Sequence, residues 1–115
     1  AQYAALEALT GPQSCVEEMN QAFKKRADLM FKKLNEIKGF NCPKPNGAFY
    51  CFPNISETNK SSIEIQNLLL DKIGVATVAG TSFGKYGEGY IRLSCANSDQ
   101  AIEEAMFRIK KFFNN

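Results

Sequence analysis

At 115 residues, with 44% hydrophobic content and a net charge of +2, the chain has the size and composition of one globular domain with a real core. Its 14 basic and 12 acidic residues are mixed along the chain, which argues against an extended phosphate-binding face and so against a nucleic-acid partner. There is no histidine, which removes Ser-His-Asp and Cys-His catalysis together with most familiar metal centres, and no metal site is expected.

Gln2 to Leu9 is rich in alanine and leucine and favours a helix, which Gly11-Pro12 breaks. This opening has neither a basic region followed by a long apolar run nor an initiator Met, so the chain is read as processed, or as a piece of something longer. No apolar run anywhere approaches the ~20 residues that a bilayer crossing needs, and no membrane partner is expected. A second helix is predicted to open on the capping box Ser14 to Glu17, with Val16, Met19, Phe23, Met30, Leu34 and Ile37 along one face. Gly39 is its predicted terminator.

The proline-rigid loop from Asn41 to Gly47 leads into Ala48 to Phe52, whose aromatics favour a strand that Pro53 ends. Ser61 to Glu64 forms another capping box, and the helix it starts carries Ile65, Leu68, Leu69 and Ile73 on one face before Gly74 closes it. Val75 to Val78 reads as a short strand, Gly80 to Gly89 as a glycine-rich loop, and Tyr90 to Cys95 as a third strand. Ser98 then caps a last helix with Ile102, Ala105, Met106, Ile109, Phe112 and Phe113 on one side. The pattern predicts a two-layer α/β (α+β) domain, in which helices cover a small, mostly antiparallel sheet of three strands.

The four cysteines, at 15, 42, 51 and 95, form no CxxC pair. Cys51 and Cys95 fall in strand-like runs and read as small buried apolar residues in a reducing, cytoplasmic setting. The glycine-rich loop fails as a P-loop, because three residues rather than four separate Gly80 from Gly84-Lys85, and Tyr86 follows the lysine. It fails as a dinucleotide fingerprint because it leads into a strand rather than a helix.

Two residues stand out as site candidates. Alternation through Tyr90-Ile91-Arg92-Leu93-Ser94 puts Ile91 and Leu93 on the face toward the helices and Arg92 on the other. A cation in so apolar a strand needs an anion or solvent. Two readings stay open on strand position alone: an edge-strand arginine paired with a carboxylate such as Glu88, or a planar fork that holds a ligand carboxylate. Phe49 is likewise open between core packing and ligand contact.

Lys44-Pro45-Asn46-Gly47-Ala48-Phe49-Tyr50-Cys51-Phe52-Pro53 resembles the "KPxGAFYxFP" strand of class I aminotransferases. Gly80-Thr81-Ser82-Phe83-Gly84 with Gly87-Glu88-Gly89-Tyr90-Ile91-Arg92-Leu93-Ser94 resembles their "PGxxFGxxGEGYxRLSxAxS" run, with Ala79 where the family commonly has proline. Gln2 to Leu6 and Gly11-Pro12-Gln13 are similar to the family's approach to its long connecting helix. The resemblance implies the C-terminal small domain (14–115) of an aspartate aminotransferase-like enzyme, with residues 1–13 as a connecting helix from a large domain. It implies that Arg92 binds the α-carboxylate of amino-acid and 2-oxo-acid substrates and that Phe49 lines the cleft. Pyridoxal phosphate, its lysine and its phosphate-binding residues belong to the large domain, so neither a catalytic nor a cofactor-binding residue is expected here, and the chain alone is expected to be inactive. A homodimer is implied for the parent, with aspartate as the favoured substrate ahead of aromatic amino acids and alanine. The competing reading is a stand-alone α/β module that binds small carboxylates without catalysis; a third is a packing domain with a structural Arg92.

Overall fold

The computed structural model describes residues 1–115. The chain forms helices α1 (Gln2–Thr10), α2 (Ser14–Leu34), α3 (Ser62–Ile73) and α4 (Asp99–Asn114), and strands β1 (Tyr50–Cys51), β2 (Val78–Ala79) and β3 (Ile91–Ser94). The sheet order is β1-β3-β2, and both pairings are antiparallel, with Cys51 opposite Leu93 and Val78 opposite Arg92. One face of the sheet is covered by helices, so the predicted two-layer α/β arrangement is the observed one. No helix is long and apolar enough to cross a membrane.

The core lies where the helical and strand periodicities meet. Leu34 from α2, Ile65 and Leu69 from α3, Ile102, Met106 and Ile109 from α4, and Ile91 and Leu93 from β3 are all buried in one cluster. Each such side chain contributes about 1.5–3 kcal/mol when fully removed from water. Cys42, Cys51 and Cys95 belong to the same cluster and all four cysteines are free thiols, with Cys15 exposed. At the other extreme, α1 buries no residue, and Tyr3, Leu6, Leu9, Val16 and Met19 are exposed. The predicted apolar face of α2 therefore becomes core only in its second half, where Met30 and Leu34 meet the sheet and α4.

Where local sequence decides, the boundaries agree. Ser61 and Glu64 cap each other at the start of α3, and Ser98 Oγ accepts the Ala101 N–H at the start of α4. Gly74 closes α3 in the left-handed conformation.

Elsewhere longer-range bonds move the boundaries. Ser14 is not a cap: α2 starts one residue earlier, from Gln13, whose side-chain amide turns back to donate to the Ala8 and Gly11 carbonyls. The helix ends at Leu34 rather than near Gly39, because the Asn35 side chain donates to the Phe31 and Cys42 carbonyls and accepts the Cys42 N–H. Ile37 stays buried, but in the turn that follows. The strand expected over 48–52 contracts to Tyr50–Cys51, since Ala48 has a φ of 57° and turns the chain just before it. Val75 is not strand: its N–H is used to close α3 on the Leu69 carbonyl, so β2 begins only at Val78.

The middle of α2 and the start of α4 are tied by charge. Lys25 Nζ lies 2.8 Å and Arg26 Nε 2.9 Å from the Asp99 carboxylate, in the first turn of α4, where a negative charge also complements the helix dipole. Hydrogen bonds from Lys25 and Arg26 hold the Asp99 pKa below its ordinary value. A group lowered on folding stabilises the fold above its unfolded pKa, and that contribution is lost as pH falls through the folded value. Asp99→Asn should therefore lower the melting temperature at neutral pH, and the gap to wild type should close as pH falls through the lowered Asp99 pKa. Melting curves of both proteins across pH check this; an equal gap at both ends of the range would count against the pairing.

Candidate functional site

The site candidate sits on the sheet face away from the helices. β3 is the middle strand, so its four residues are fixed from both sides, and alternation buries Ile91 and Leu93 while Arg92 and Ser94 are half-buried on the opposite face. Arg92 is thus not an edge-strand residue.

Nor is it paired with Glu88. That carboxylate accepts the Ser62 N–H at 2.9 Å, at the start of α3. Of the three arginines in the chain, Arg26 is bonded to Asp99 and Arg108 to Glu104, while Arg92 has no carboxylate partner. Its guanidinium instead lies between two rings, 4.4 Å from the centroid of Tyr50 and 4.6 Å from that of Phe83. Cation–π contact compensates part of the lost hydration without using up the N–H donors at the guanidinium edge. The open choice at the sequence level is resolved to this extent: Arg92 is a half-buried cation whose charge no group of this chain neutralises. Chemically, such a fork suits a planar anion with two acceptor oxygens.

The two rings arrive differently. Tyr50 is in β1, opposite Ser94, on the same sheet face as Arg92. Phe83 comes from the glycine-rich loop, which forms two short 3-10 turns, Gly80–Phe83 and Lys85–Gly87. That loop is fastened by the fully buried Ser62, whose hydroxyl accepts the Gly89 and Tyr90 N–H groups and donates to the Gly87 carbonyl. Phe49 lies just outside β1, 38% exposed, with its ring 4.4 Å from Tyr50 and 5.7 Å from Phe23 of α2. It therefore adjoins the ring that flanks Arg92 and does not reach the interior with Cys51.

Tyr50, Phe83 and Ser62 were not singled out as contributors to the site from the sequence, and Glu88 was named only as a possible ion-pair partner of Arg92. Strand alternation placed Tyr50 on the face opposite Phe49, and that alternation was the available signal. For Phe83, in a loop with no periodicity, the signal was its fixed place in the motif run from Gly80 to Gly84.

Two of the buried cysteines are held as neutral thiols, while the bond between Cys42 and Cys51 holds Cys42 below its ordinary pKa. A hydrogen bond shared with Cys42, reinforced by burial, pushes the Cys51 thiol far above its ordinary pKa, and burial pushes Cys95 up as well. Pyridoxal phosphate would need an available lysine amine and a set of N–H groups around its phosphate. Lys25, Lys44 and Lys110 are tied to carboxylates, and Lys85 lies over the ring of the exposed Tyr86. The loop glycines Gly80 and Gly87 press their backbones together instead of opening a cradle. The contact of Gly80 with Gly87 therefore leaves no phosphate cradle in the glycine-rich loop.

Comparison with known proteins agrees with the motifs. The family model "Aminotransferase class I and II" matches residues 1–109. An aspartate aminotransferase of Pyrococcus abyssi is 46% identical over 112 residues, covering 96% of this chain and 28% of that protein. An aromatic-amino-acid aminotransferase of Thermococcus litoralis is 45% identical over 112 residues, again 96% of this chain and 28% of the relative. The crystal structure of an aromatic aminotransferase from Pyrococcus horikoshii superimposes with a TM-score of 0.94 at 43% identity, over 98% of this chain and 30% of that one. The chain thus spans less than a third of the length of these relatives. With the family model matched almost end to end, the chain belongs to the class I and II aminotransferases.

Proposed function

We propose that this chain is the C-terminal small domain of a pyridoxal-phosphate-dependent aminotransferase, and that Arg92 binds the α-carboxylate of its amino-acid and 2-oxo-acid substrates. The observation that carries the reading is an arginine fixed in the middle strand, flanked by two rings and left without a carboxylate of its own chain. A bidentate contact there orients the substrate as well as holding it, because the planar fork accepts a carboxylate in one plane only. Phe49, standing against Tyr50, lines the same cleft and helps to exclude water from it. The cofactor, held by residues outside this chain, supplies the electron sink for the substrate carbanion. Within the chain the work is recognition, and no residue of it is assigned a proton transfer.

Residues 1–13 are the connecting helix in this reading. The fully exposed α1, with Tyr3, Leu6 and Leu9 outward, supports its packing on a large domain, since such apolar surface is costly to leave in water. The same surface speaks against a stand-alone carboxylate-binding module. The working assembly is a cytoplasmic homodimer, in keeping with the free thiols and the family. Aspartate is the favoured amino donor, supported by relatives named aspartate aminotransferase.

The test is amino transfer by the complete protein loaded with pyridoxal phosphate, from aspartate, phenylalanine or alanine to a 2-oxo acid. Transfer fastest from aspartate is expected. Faster transfer from phenylalanine would overturn the substrate preference, and no transfer from any of the three would sink the enzyme reading.

A further inference from the structure

The guanidinium of Arg92 is the middle member of a row that crosses the open face of the sheet. Tyr90 and Phe52 stack at 5.2 Å with their planes 7° apart, and Phe52 meets Phe83 edge-on at 6.3 Å. Phe83 and Tyr50 then flank Arg92, and Tyr50 continues through Phe49 to Phe23. Tyr50 lies in β1 and Phe23 in α2, while Phe49, Phe52 and Tyr90 directly adjoin β1 and β3. Phe83 is different, because it is 54% exposed and hangs from a loop. Its burial adds little to the core, yet the loop is held by buried bonds from Ser62 and by the contact of Gly80 with Gly87.

We infer that Phe83 and Tyr50 are positioning residues for Arg92: the two rings hold the flat faces of the guanidinium, so that its N–H edge stays turned toward an incoming carboxylate. The inference rests on the reading of Arg92 as the substrate anchor. A long arginine side chain loses rotamer freedom when it grips a ligand, and clamping it beforehand moves that loss out of the binding step. The rings achieve this without competing for the donors, as a carboxylate such as Glu88 would. Glu88 is kept away by its bond to the Ser62 N–H, so one hydrogen bond both fastens the loop and leaves Arg92 free for the ligand.

The test uses steady-state kinetics of the complete protein with aspartate or phenylalanine, whichever is turned over. Phe83→Leu keeps apolar volume and removes the ring; at an exposed position it should leave the melting temperature nearly unchanged. KM for the amino acid should rise about tenfold with kcat moved far less, and Phe83→Tyr should bring KM back. Tyr50→Leu and Tyr50→Phe should behave as the same pair. In an Arg92→Ala background, Phe83→Leu should change KM by less than about twofold, because it acts through the arginine. If Arg92→Ala raises KM while Phe83→Leu does not, or if Phe83→Leu has its full effect without the arginine, the positioning role is overturned and the anchor stands. If Arg92→Ala itself leaves KM unchanged, the anchor reading falls and the positioning role falls with it.

Discussion

Replacing Arg92 with alanine in the complete protein is expected to raise KM for the amino acid about a hundredfold and to lower kcat/KM in proportion. The size follows from what is lost. Two charge-assisted hydrogen bonds disappear, and such bonds contribute about 1.5–3 kcal/mol each. No other guanidinium fork of the chain stands ready to replace them, since the other two arginines are bonded to Asp99 and Glu104. Arg92→Lys should recover only part of the affinity, because an ammonium neither lies flat between Tyr50 and Phe83 nor offers two parallel donors. Folding should be little affected by either change, as Arg92 makes no salt bridge that the fold depends on and its stem lies on a half-buried face. Kinetics for the three proteins, with melting curves beside them, check the claim. Identical KM in wild type and Arg92→Ala would remove the anchor role.

A second large effect is expected on stability. Gly80→Ala or Gly87→Ala should each destabilise the fold by about 3 kcal/mol, at the upper end of what overpacking costs. A Cβ built on Gly80 collides with the Gly87 carbonyl and comes within 2.8 Å of the Tyr90 oxygen, and one built on Gly87 collides with the Gly80 carbonyl. Both obstacles are backbone, so no side chain can swing aside. The loop cannot simply open either, because Gly80 N–H donates to the Tyr90 carbonyl at 2.8 Å while Ser62 grips Gly87, Gly89 and Tyr90. Gly84 is the useful contrast. Its φ of 122° and ψ of 168° disfavour any side chain, but the space around it is open, so Gly84→Ala should cost about 1–2 kcal/mol from backbone strain alone. Denaturant titrations of the three variants decide the matter. Wild-type midpoints for Gly80→Ala and Gly87→Ala would show that the two backbones do not approach as described.

How much of this was legible in the sequence depends on how local its cause is. The cap of Ser61 with Glu64, the cap at Ser98 and the alternation around Arg92 are set within a few residues, and all appear as expected. The antiparallel link between β2 and β3 was also readable, from the loop that joins them. What could not be read were bonds between distant segments. Asn35 ends α2 by reaching Cys42, and Ser62 fixes a loop more than twenty residues away. The exposed Val16 and Met19 have the right spacing for a core face, but nothing in this chain covers them. The candidate site divides in the same way. Arg92 was marked by its strand, whereas Phe83 owes its place to the fastening of a loop, and Glu88, named as a possible partner, is drawn off by a backbone N–H. The motifs that resembled aminotransferases supplied the family, and the geometry adds why an arginine at that point is free to bind.

The most direct measurement is a crystal structure of the complete protein, loaded with pyridoxal phosphate and soaked with a 2-oxo acid. The account predicts both oxygens of the ligand carboxylate within hydrogen-bond distance of the Arg92 guanidinium, with the rings of Tyr50 and Phe83 still packed against it. A carboxylate held by another cation, with Arg92 turned to a carboxylate of the protein, would contradict it.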